Sequence, residues 1–200
     1  MASISIGKFN TASFGSEILC SFYNVGTAAS TDAALIEQTC LRAAVAQGVG
    51  CWEGYIEGVI REFVYKTRLN AHRRAWPLIA QFETIVDKMA GELNTPNWDK
   101  TRELLIIIIG IDPQPKWVWQ PKFLNSTDTK NFFDGIMNVR HAFAHGFSVS
   151  HTIPGLTTPG VLDLKYAMDA IECVRFFAGA TDSLLEHELI HRHGCKTGWN

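Results

Sequence analysis

Apolar residues recur at helical spacing over most of this chain, and no stretch holds the two-residue alternation of a half-buried strand. From Thr31 the segment "TDAALIEQTCLRAAVAQG" opens on a Thr-Asp cap and continues in helix-favouring residues. "VGCWEGYIEGVIREFVYKTR" then places Val49, Trp52, Ile56, Val59, Ile60 and Phe63 on a common face. The two segments form one long helix or two joined near Gly48. Gly50, Gly54 and Gly58 form a smooth stripe, and glycine costs a helix up to about 1 kcal/mol each, so the stripe predicts close approach of another helix.

A further helix is expected over about 71–93. The next is expected from "TPNW", with Thr95 as cap and Pro96 at the first helical position, through the block "LLIIIIGI". That block is apolar on all sides, which predicts a place in the middle of the core. "IDPQPKWVWQPKF" reads as a proline-broken connector, "STDTKNFFDGIMNVRHAFAHGF" as a capped helix ending near Gly146, and "SHTIPGLTTPG" as a loop. The last helix is expected from about Val161 to His193, stopping at Gly194. Residues 1–30, rich in Ser, Gly, Ala and Thr, read as a weakly patterned lead-in with one short helix at most. The expectation is an all-α bundle of about four to six helices, one domain over residues 31–194, and a tail at 195–200.

The 200 residues and the 46% apolar content fit one globular domain. A formal charge of -2 argues against a generally basic nucleic-acid binder and leaves room for a local basic patch. The five cysteines are scattered and form no CxxC pair, which predicts reduced thiols in a cytoplasmic protein. The first 20 residues lack a basic start followed by an apolar block, and no apolar run approaches the ~20 residues of a membrane span, so neither a signal peptide nor a membrane segment is expected.

The chemistry concentrates in "NVRHAFAHG", Asn138 to Gly146. On a helix Asp134, Asn138, His141 and His145 fall within about 60° of one line and make a polar stripe. Phe133, Ile136, Phe143 and Phe147 are expected to point the other way. Arg140 lies among them, roughly 140° from His145. An arginine on an apolar face needs a carboxylate, a phosphate or a subunit interface.

This stretch resembles the Arg-x4–6-His motif of HEPN domains, all-α ribonucleases and RNA-processing toxins. Asn138 precedes the arginine, polar His141 follows it, and a small residue follows the final histidine. Upstream, Arg42 and the pair Trp52–Glu53 resemble residues of the branch called RiboL-PSP-HEPN. The resemblance implies a HEPN-like bundle and a metal-independent endoribonuclease without cofactor, in a toxin–antitoxin or antiphage-defence setting. It assigns His145 as acid/base, Arg140 as phosphate clamp, His141 and Asn138 as supporting donors, and Glu53 as the group orienting Arg140 or a histidine. It also implies a homodimer with two motifs around one cleft, and an antitoxin or defence partner. The chemistry suits the residues: RNA carries its own 2′-OH nucleophile, an ordinary imidazole titrates near ~6.5, and a guanidinium can fork onto phosphate.

For RNA contact the candidates are Arg68, Arg73, Arg74 and Lys116, the last beside Lys122, Trp117 and Trp119 in an arrangement able to bind phosphate and stack on bases. A solvated helix end and a packed connector are the plainer readings. The alternative function is a catalytically inactive helical module that binds protein or RNA. A remoter one is a zinc metalloprotease, because "HELIH" (His187–His191) matches the His-Glu-x-x-His signature. Only nine residues follow His191, Arg192 and His193 replace the usual apolar residues, and "HRHG" is itself a good helix stop. Incidental metal binding by His187, His191, His193 and Cys195 fits that segment better than proteolysis.

Overall fold

A computed structural model describes residues 2–22, 32–68, 77–120 and 122–199. Among them are six helices: α1 (Ile4–Ser21), α2 (Ala33–Thr67), α3 (Pro77–Gly91), α4 (Trp98–Ile109), α5 (Ser126–His145) and α6 (Leu164–His191). One 3-10 turn, Gln114–Lys116, lies in the proline-broken connector. The described residues contain no strand, only an isolated bridge between Thr158 and Val161, so the protein is an all-α bundle. None of the described helices is long and apolar enough to cross a membrane.

The spine is α2, a single helix of 35 residues, which settles the choice at Gly48 in favour of continuity. Its buried face runs Leu41, Val45, Val49, Trp52, Ile56, Val59, Ile60 and Phe63 at steps of three and four. Asp32 stands at its cap position. Helix α6 runs parallel to α2. Gln38 exchanges two hydrogen bonds with the backbone of Leu162, Trp52 meets Phe177 at 6.2 Å, and Phe63 meets His193 at 5.4 Å.

The lead-in is the largest departure from expectation. Instead of a weakly patterned segment, residues 4–21 form α1, which lies antiparallel against both α2 and α6. Its serines and glycines are poor helix formers, so sequence pattern gives little sign of it. Tertiary contacts supply what propensity lacks. The Glu62 carboxylate accepts from the amides of Ile4 (3.0 Å) and Ser5 (3.1 Å), and Asp182 accepts from the amide and hydroxyl of Ser3. Two carboxylates from neighbouring helices thus satisfy the free N–H groups of α1 and oppose its positive end.

The centre is aromatic. Trp52 touches Tyr55, Trp117, Phe133 and Phe177, and its indole N–H donates to the Pro96 carbonyl at 3.0 Å. That bond helps explain why α4 starts later than "TPNW" predicts. Thr95 sits at φ 76°, and Asn97, not Thr95, caps the helix by accepting from the Lys100 amide at 2.9 Å. The isoleucine block is not central either: Leu104 and Leu105 are buried, while Ile106 and Ile107 are 39% and 57% exposed. A helix presents consecutive residues on different faces, so such a run cannot be buried throughout unless neighbours surround it.

The tail packs onto the bundle. Trp199 is buried against Phe63, and its indole N–H donates to the Asp182 carbonyl at 3.4 Å. The helix expected over 71–93 is present from Pro77 to Gly91; residues 69–76 lie outside the described residues.

Candidate active site

Helix α5 positions the motif. Asn125 caps its start, accepting from the Asp128 amide at 2.8 Å. Gly146 ends it in the left-handed region at φ 68°, and the Phe147 amide donates back to Ala142 at 2.8 Å, the closure expected of a glycine-terminated helix. The buried face carries Phe132, Phe133, Ile136, Val139 and Ala142, so the polar stripe of Asn138, His141 and His145 faces solvent.

The two imidazoles are in contact, with ring centroids 4.4 Å apart. Phe147 does not point away from them, as helical spacing predicts. The turn at Gly146 swings it back over His145, where the rings stack at 5.7 Å with 24° between planes. Phe147 is a member of the cluster that sequence periodicity misplaces, because the period ends where the helix ends. Phe143, also assigned to the core side, is 40% exposed.

Arg140 is half-buried on a different face of α5. It acts electrostatically on Glu53 of α2, so the sequence pairing of these residues corresponds to proximity in the fold. Burial pushes the Glu53 carboxyl above its ordinary value, Arg140 pulls it back, and Glu57 adds to the rise. Among the described residues Arg140 makes no hydrogen bond or ion pair, and neither does Glu53. Arg42, half-buried on α2, has its Nε buried without a hydrogen-bond partner. Thus Arg140 and Glu53 are brought together, as are His141 and His145, but the two pairs leave α5 in different directions.

The RNA-contact candidates are dispersed. Arg68 lies over the Tyr65 ring at 3.6 Å and borders a groove between α2 and α3. Lys116 is exposed and borders a different cleft, of about 440 Å³, with Phe176, Leu184 and His187 of α6. Arg73 and Arg74 lie outside the described residues. Trp117 and Trp119 are 1% and 5% exposed, so they are core residues and not stacking platforms. Lys122 is engaged internally, paired with Asp169 and 4.3 Å above the Phe132 ring.

In "HELIH" the rings of His187 and His191 lie 4.2 Å apart. His193 packs edge-on against Phe63, and the Cys195 sulfur faces the Lys66 carbonyl, so neither joins them. Among the described residues no group of three or more His, Cys, Asp or Glu side chains is arranged to hold a metal ion. No family model, curated protein or solved structure matches this chain.

Proposed function

We propose that the chain is a metal-independent endoribonuclease of the HEPN type, acting on RNA in the cytoplasm as a homodimer. The observation that carries this reading is the end of α5. Two solvent-facing imidazoles touch there, and Arg140, the residue before His141, carries a half-buried guanidinium within electrostatic range of Glu53. In the reaction, the imidazole of His145 takes the proton of the ribose 2′-OH, whose oxygen bonds to the adjacent phosphorus. The bond from phosphorus to the 5′-oxygen breaks, and that oxygen leaves with the proton that His145 carries. The products are a 2′,3′-cyclic phosphate and a 5′-hydroxyl. Arg140 forks onto the non-bridging oxygens and opposes their growing charge. Asn138 and His141 contribute donors, and Glu53 holds the guanidinium orientation through space. A role in toxin–antitoxin or antiphage systems, with an antitoxin or defence partner, rests on the family resemblance alone.

A second reading, a catalytically inactive interaction module, draws on one observation: Arg140 and His145 stand roughly 140° apart around α5. The deciding assay is RNA cleavage in EDTA by wild type, His145→Ala and Arg140→Ala. Either substitution is expected to abolish cleavage with the helical circular dichroism unchanged. A His145→Ala protein that cuts RNA at the wild-type rate refutes the catalytic assignment.

A further inference from the structure

The last turn of α6 carries a cluster for which RNA cleavage has no use. His187 and His191 sit one helical turn apart, both exposed, with ring centroids 4.2 Å apart and 37° between planes. Their surroundings differ from those of the His141–His145 pair in one respect that matters for ligand chemistry. The Glu188 carboxylate lies 4.0 Å from His187 Nδ1. At that distance the carboxylate makes no hydrogen bond to the ring, but it places a negative charge beside the pair, which favours a cation there. Glu188 is itself held from the other side by Arg192 at 3.3 Å. In the α5 pair the neighbour is the Phe147 ring, which covers one face of His145 and brings no charge.

We propose that His187 and His191 form a two-imidazole site for a borderline divalent cation of the Ni²⁺, Cu²⁺ or Zn²⁺ class. Neutral imidazoles one turn apart on a rigid helix can offer two nitrogen lone pairs to one ion, and nitrogen ligands select these cations over Mg²⁺ and Ca²⁺. Two protein ligands leave the remaining positions to water, so the site is an open chelate and not a closed structural centre. Binding would tie the final turn of α6 next to the folded-back segment that seats His193 and Trp199 on Phe63. The inference is independent of the ribonuclease reading, which concerns the other histidine pair and is assayed in chelator.

The test is calorimetric titration of Ni²⁺ into the full chain, with His187→Ala, His191→Ala and His145→Ala alongside. Nickel is preferred to copper because five cysteines are present and copper oxidises thiols. Wild type is expected to bind Ni²⁺ with a melting temperature that rises with its concentration, as for any ligand of the folded state. Either α6 substitution should weaken binding at least about tenfold, and His145→Ala should leave it unchanged. Both α6 histidines are exposed, so their removal opens no cavity. Wild type that binds no Ni²⁺, binding that survives both α6 substitutions, or binding lost only in His145→Ala overturns the assignment.

Discussion

Asp163 shows how much one side chain can do at a boundary the sequence places only loosely. Helical pattern suggests a start near Val161, whereas the helix begins at Leu164 because the Asp163 carboxylate accepts from the Tyr166 amide at 2.7 Å. Partial burial pushes that carboxyl up, but hydrogen bonds from Thr157 and from the Tyr166 amide outweigh it and hold it below the ordinary value. A carboxyl depressed by folding stabilises above its unfolded pKa, about 3.9, and loses that contribution as pH falls through the lower folded value. Asp163→Ala should therefore cost about 1 kcal/mol at neutral pH, the usual worth of an N-cap, and Asp163→Asn distinctly less. Urea unfolding at several pH values checks this: the gap between wild type and the alanine variant should close below about pH 4.

At the scale of elements, the glycine stripe of α2 divides. The expected helical neighbour exists, but it is α1 of the same chain, and it covers only one end. A Cβ built on Gly58 would lie 2.8 Å from the Ser5 hydroxyl oxygen, which is held by its bond to Glu62 at 3.0 Å. A Cβ on Gly50 or Gly54 meets nothing within 4 Å, because both border a cleft of about 500 Å³ between the two helices. Gly54→Ala should accordingly raise stability by up to about 1 kcal/mol through backbone entropy and helix propensity. Gly58→Ala should gain nothing or lose stability, because Ser5 must give up its place against Glu62. Thermal melts of the two variants decide it: an equal gain in both would show that α1 does not dock as described. The stripe was legible in the sequence; which of its glycines is needed was not, since that depends on where α1 rests.

For the whole molecule, the decisive geometry is the divergence of Arg140 and His145. If the chain cuts RNA as a dimer, the phosphate clamp and the proton carrier can meet from different copies, because a twofold axis brings two sets around one cleft. Sedimentation at micromolar concentration should then report a dimer. Mixing Arg140→Ala with His145→Ala protein should restore part of the cleavage that each lacks, given time for subunits to exchange. A strict monomer that cleaves RNA would require both residues to converge within one chain, against their placement on α5.

The class of structure and the local chemistry of the helices were already written in the order of residues. Periodicity of apolar residues over α2, α5 and α6 sets which faces are buried, and the contact between His141 and His145 follows from a spacing of four on one helix. These are short-range consequences of backbone geometry. Features that depend on partners distant in sequence came from the packing of the whole chain. Helix α1 exists because Glu62 and Asp182 satisfy its amides, Trp117 and Trp119 belong to the core because Trp52 and Phe132 wait for them, and Trp199 is buried because α2 offers Phe63. Phe147 joined the histidines because Gly146 turned the chain back at the point where helical counting stops applying. Helix period and propensity report on a few neighbouring residues, whereas burial is decided by what the rest of the chain places opposite.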